Sequence, residues 1–194
     1  MWLKGGPRQK GKSVKRVRGP LEGLRGKKQQ RYTSMAEEKS VPESRVEMAQ
    51  VMLPVDANQA GNVHGGSIMK LIDTAAGIVA LRHCRSNVVT ASMDRLDFHE
   101  PVFIGELVIL RASINYVGET SMEVGVRVEA ENLMTGEVRH TNSAYLTMVA
   151  LDEKRRPMEV PRVVPEAREE RRRFEEGKIR AQRRRELRKN RKKR

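Results

Sequence analysis

Apolar and polar residues fall into two rhythms between residues 44 and 151, with no regular rhythm before them. From Ser44, Val46, Met48, Gln50 and Met52 alternate with Arg45, Glu47, Ala49 and Val51, a period of two that predicts a strand ended by Pro54. A polar, glycine-bearing loop over 55–65 leads into Ile68, Leu71, Ile72, Ala75, Ile78 and Val79, whose steps of three and four predict one long helix from about Gly65 or Gly66. Its middle, Thr74-Ala75-Ala76-Gly77, is unusually small, which suits close packing beneath a wrapped sheet. Four alternating runs follow: Val88–Phe98 with Val89, Ala91 and Met93 on one face; Leu107–Val117 with Val108, Leu110, Ala112, Ile114 and Tyr116; Ser121–Ala130 with Met122, Val124, Val126 and Val128; and Val138–Leu151. Turn residues separate them: Pro101 with Gly105, Gly118-Glu119-Thr120, and Thr135-Gly136. A strand, a helix and four hairpin-linked strands define an α+β class, an antiparallel sheet curved round one central helix. After Pro165 the chain is rich in Arg and Glu and reads as a solvated helix, with Phe174, Ile179 and Leu187 as its apolar anchors and its last residues disordered.

Charge divides the chain the same way. Of the formal +14, residues 1–45 carry +9, residues 166–194 carry +9, and the middle carries −4. The expected organisation is a basic disordered extension over 1–43, a folded domain over 44–160 and a basic helix and tail over 161–194. A nucleic-acid-binding fold would carry its basic stripe on the domain itself, with stacking aromatics, whereas aromatics here are 4%. The tails are therefore accessory, suited to contact with RNA or an anionic membrane. The first 21 residues contain no acid, but their Gly and Pro content argues against a mitochondrial presequence, and Met35 offers an alternative start. A cytoplasmic location is expected. The single Cys84 excludes an internal disulfide and reads as a small core residue, and four scattered His give no metal-ligand spacing.

Two places carry candidate chemistry. Asp73 stands between Ile72 and Thr74 in the most apolar helix, where a lone carboxylate is costly unless it is paired or opens onto a cleft. Gly65 and Gly66 open that helix, where unpaired N–H groups and the helix dipole suit a developing oxyanion, and Asn62 can orient a water or a carbonyl. Gly66 and Asp73 are seven residues apart, about 10.5 Å along a helix. One carbonyl cannot meet both in a single chain, so a site shared across a homodimer is expected.

The run Leu53-Pro54 through Asn62-Val63-His64-Gly65-Gly66, with Met69-Lys70-Leu71, Gly77-Ile78-Val79-Ala80, Arg82-His83-Cys84 and Val89-Thr90-Ala91-Ser92, resembles the cytosolic, brain-type acyl-CoA thioesterase family and its single-hotdog bacterial relatives. The resemblance spans about residues 44–180. It implies a hotdog fold and hydrolysis of long-chain fatty acyl-CoA to free acid and CoA, with no cofactor. It implies that Asp73 activates water or attacks the thioester, that Asn62 positions water or carbonyl, and that Gly66 N–H receives the oxyanion. His64, Gly65, Arg95, Ser121 and Met122 are candidate CoA contacts. The vertebrate enzyme has two hotdogs in tandem and this chain has one, so the resemblance implies a homodimer, with three dimers forming a hexamer. The alternative reading is a non-catalytic acyl-CoA-binding hotdog protein attached to RNA or membrane by its tails. A hydratase is disfavoured, because the spacing of His64 to Asp73 does not resemble that motif.

Overall fold

The computed structural model describes residues 38–192, with the backbone alone for Arg95, Arg191 and Lys192. The expectations for residues 1–37, including the presequence and Met35, lie outside the described residues. The elements are β1 (Glu38–Ser40), α1 (Val41–Ser44), β2 (Val46–Val51), a 3-10 turn (Pro54–Asp56), α2 (Gly65–Cys84), β3 (Asn87–Phe98), β4 (Leu107–Val117), β5 (Ser121–Glu131), β6 (Val138–Leu151), β7 (Arg162–Val164) and α3 (Arg168–Lys192).

Five strands form one antiparallel sheet in the order β2-β4-β5-β6-β3. The helix α2 lies on one face. Ile72, Ala75, Ala76, Val79 and Ala80 are fully buried against Val108, Leu110, Val124, Val128 and Leu146. The small stretch expected to let the sheet close on the helix therefore supplies two of the packed positions, Ala75 and Ala76. Cys84 is buried at the helix end, its Sγ 3.1 Å from the Ala80 carbonyl. Arg82 donates to the Arg45 carbonyl at 2.8 Å, and the buried His83 meets the Pro161 carbonyl at 2.9 Å. These bonds tie the C-terminus of α2 to the flanking segments.

Two strand phases differ from the sequence reading. On β3, Val88 packs against the core while Val89 is 43% exposed, the reverse of the expected face. Among the described residues the strand pairs on one side only, and register shifts at Thr90/Ser92 and Met93/Arg95 change which side chains face inward. On β4 the inward run holds through Ile114, and a register shift between Ile114 and Tyr116 moves Tyr116 out of it. Beyond the expected elements, β1 pairs in parallel with β7, and Val41 of α1 joins the core at 3% exposure.

The helix α3 packs on the opposite face of the sheet. Gly177 has no side chain, and a Cβ there would stand 2.8 Å from Tyr116 Cβ, so the helix approaches the strands at this point. Glu123, 1% exposed, accepts hydrogen bonds from Arg180 (2.7 Å) and Arg184 (3.0 Å), and Arg184 also pairs with Asp94 of β3. Burial alone would pull the Arg180 guanidinium down, but its bonds to Glu123 outweigh this and hold it above its ordinary value. Arg180 also lies 4.0 Å above the Tyr145 ring. Of the three expected apolar anchors only Phe174 packs in, edge-on to Tyr116, while Ile179 and Leu187 stay 63% and 57% exposed. Ion pairs supply the remaining attachment.

Candidate active site

The loop between β2 and α2 closes on itself through one side chain. Asn58 Oδ1 accepts the Ala60 N–H at 2.8 Å and the Asn62 N–H at 3.2 Å, and Asn58 N–H donates to the Asn62 carbonyl at 2.7 Å. Gly61 takes φ +85°, a left-handed conformation that glycine adopts without strain. The Asn58 oxygen is committed twice, and its Nδ2 donates to no described residue. The loop is pinned from outside by Val63 N–H to the Val102 carbonyl at 2.8 Å and by the bridge of Asn62 to Phe103. The facing segment is itself clamped: the buried Glu106 accepts from Phe103 N–H at 2.9 Å and from Arg139 at 3.0 Å.

Between these walls is a pocket of about 340 Å³. Asn58, Asn62, Gly65 and Ile68 line one side, and Phe98 to Val102 the other. His64 is the N-cap of α2, its Nδ1 accepting the Gly66 N–H at 2.8 Å. That bond occupies the N–H expected to meet an oxyanion. The Gly65 N–H, by contrast, donates to no described residue and borders the pocket.

Asp73 lies on the exposed flank of α2, outside this pocket. Its Oδ1 accepts the Thr90 hydroxyl of β3 at 2.6 Å, and no described cation pairs with it. Thr90 stood within Val89-Thr90-Ala91-Ser92 but was given no role, because nothing local says that its hydroxyl meets Asp73. Asn58 escaped the sequence reading because the loop offered two asparagines. The Asn58-x-x-Gly61 spacing of an Asx turn is the signal that separates them.

The remaining candidates lie apart from the pocket. Ser121 is half-buried at the start of β5, where its carbonyl accepts the Gly118 N–H at 2.7 Å. Met122, 1% exposed, faces the core, so its side chain does not border a groove. Arg95 pairs with Tyr145 in the β3–β6 ladder, and its side chain lies outside the described atoms. Among the described residues no three His, Cys, Asp or Glu side chains gather as metal ligands, and no helix is long and apolar enough to cross a membrane.

The family model of the thioesterase superfamily matches residues 60–137, from the loop before α2 to the turn before β6. The uncharacterized acyl-CoA thioester hydrolase YkhA of Bacillus subtilis is 46% identical over 128 residues, 66% of this chain and 74% of that protein. A hexameric acyl-CoA thioesterase solved in its apo form superposes with a TM-score of 0.75 at 39% identity, covering 78% of this chain and 97% of that one. The acyl-CoA hydrolase of Staphylococcus aureus, solved with butyryl-CoA and CoA, superposes with a TM-score of 0.75 at 34% identity, over 80% of this chain and 95% of that one. It has also been solved with an aspartate, an asparagine or a threonine replaced by alanine. The chain belongs to the acyl-CoA thioester hydrolase family.

Proposed function

We propose that this protein hydrolyses fatty acyl-CoA, long-chain substrates included, to free acid and CoA at sites completed across a homodimer interface. The observation that carries the reading is Asp73: a mid-helix carboxylate with no cationic partner among the described residues, oriented by the Thr90 hydroxyl. An acid in that state is suited to take a proton from water. The loop residue proposed to work with it is Asn58 rather than Asn62, because the Asn58 amide is fixed by two backbone bonds and its Nδ2 donates to no described residue. The spacing of the S. aureus variants supports the choice. There the altered asparagine precedes the aspartate by fifteen positions and the threonine follows it by seventeen, as Asn58 and Thr90 stand to Asp73.

In the proposed reaction Asp73 takes a proton from water as the oxygen attacks the thioester carbon. Asn58 Nδ2, the Gly65 N–H and, once the His64 ring turns aside, the Gly66 N–H receive the oxyanion. The C–S bond then breaks, and the CoA thiolate takes the proton from Asp73. Because Asp73 lies about two helical turns from Gly65, each site takes its loop from one protomer and Asp73 with Thr90 from the other. Likeness to the hexameric enzyme supports three such dimers as the assembly. We assign the protein to the cytoplasm on the same reading, with attachment through the basic ends as a separate property.

Release of CoA thiol from a series of butyryl- to palmitoyl-CoA tests this. Asp73→Ala should lower kcat by about 10²- to 10⁴-fold; full turnover in that variant would remove Asp73 from the mechanism. Mixing Asn58→Ala with Asp73→Ala subunits should recover about a quarter of wild-type activity, because each mixed dimer holds one intact site. Absence of recovery despite proven subunit exchange would refute the shared site.

A further inference from the structure

We propose that the C-terminal half of α3 is a docking surface for the phosphate backbone of RNA. The charges of α3 are segregated. Residues 168–176 hold four arginines and four glutamates, and Glu169, Glu170, Glu175 and Glu176 are each ion-paired. Residues 178–192 hold nine Lys/Arg and the single acid Glu186. Two of the nine, Arg180 and Arg184, turn inward to Glu123 and Asp94, where they fix the helix on the sheet. Arg183, Arg185, Arg188 and Lys189 remain exposed, and none has a described carboxylate partner. Arg191 and Lys192 continue the charge in sequence.

Spacing and chemistry select the occupant. Arg185, Arg188 and Lys189 recur at three- and four-residue steps with Lys178 on the same side. From Lys178 to Lys189 the helix rises about 16 Å, the reach of roughly five phosphates of one strand. Arginine outnumbers lysine, and its planar fork matches phosphate oxygens. A membrane-surface helix would present an apolar stripe. Here the exposed Ile179 and Leu187 are two turns apart with Arg183 between them on the same side. Few aromatics are available for base stacking, so the contact is sequence-independent. The acidic folded middle confines the attraction to the ends of the chain.

The test is fluorescence anisotropy with a labelled oligouridine of about twenty nucleotides across a salt series, comparing the full wild-type chain with a variant carrying Arg183→Ala, Arg185→Ala, Arg188→Ala and Lys189→Ala. The variant should bind at least about tenfold more weakly, and the slope of log affinity against log salt should fall by about 3, at 0.7 per lost contact. Thiol release and circular dichroism should be unchanged, because these side chains lie outside the proposed active site and the Glu123 attachment. A second variant with lysine at 183, 185 and 188 should keep most of the salt slope. Undiminished RNA binding by the alanine variant would overturn the proposal. So would wild-type protein that ignores RNA and sediments with phosphatidylserine vesicles.

Discussion

The two faces of the five-stranded sheet each carry a helix, and they hold them by different chemistry. Under α2 the contact is dry and apolar, with Ile72, Ala75, Val79 and Ala80 showing no exposure. Under α3 the contact is ionic, centred on Glu123 with Arg180 and Arg184. The difference bears on where an acid can remain available for chemistry. On the α3 side Glu123, Glu169, Glu170 and Glu176 each have an arginine partner. On the α2 side Asp73 accepts from a hydroxyl, and no described cation pairs with it. A carboxylate bound to a guanidinium is a poor proton acceptor, so the apolar helix, with its open flank, is the better place for a reacting acid.

The contrast can be broken at its ionic side with the largest effect. Arg180→Ala combined with Arg184→Ala strands Glu123 at 1% exposure, and should cost about 3–5 kcal/mol in urea denaturation. Replacing all three by Leu, Met and Met should recover most of that loss; equal instability in the triple variant would mean that more than the ion pair is at stake. On the apolar side Ile72→Val should cost about 1 kcal/mol, with no dependence on salt. A large salt dependence there would contradict the apolar account. The smallest effect is a pH response at the start of α3. Hydrogen bonds from Arg172 and then Arg173 lower Glu169 from its ordinary 4.5 to about 2. A depressed carboxylate contributes stability above its unfolded value and loses it as pH falls through the folded one. Amide exchange should therefore show the first turns of α3 opening between pH 4.5 and about 2 before α2 does. Simultaneous opening of both helices would dissolve the distinction.

The same contrast explains what was legible in the sequence. The apolar face was readable because burial is periodic: α2 and the inward positions of β4 and β5, from Val108 to Ile114 and from Met122 to Val128, follow from steps of three, four and two. It failed where a register shift breaks the period, at Val88 and Val89 of β3 and at Tyr116 of β4. The ionic face was not readable. Glu123 and Asp94 sit at positions that alternate outward, and nothing local says that Arg180 and Arg184 will meet them from far along the chain. The candidate site divides likewise. Asp73 stood out against its apolar neighbours, whereas Thr90 acquires its part only through a tertiary contact, and Asn58 through a turn that its own side chain builds.

Gly177 has a consequence for anyone who wishes to handle the two faces separately. It occupies a point of close approach in the seam, and a methyl group there would press on Tyr116 Cβ at 2.8 Å and on Glu123 Oε1 at 3.0 Å. Alanine at that position is a built-in wedge, a single carbon that prises one helix from the sheet while leaving the apolar interior intact. Graded side chains at 177 would then act as a dial on the seam, separating what α3 contributes from what the catalytic half does alone.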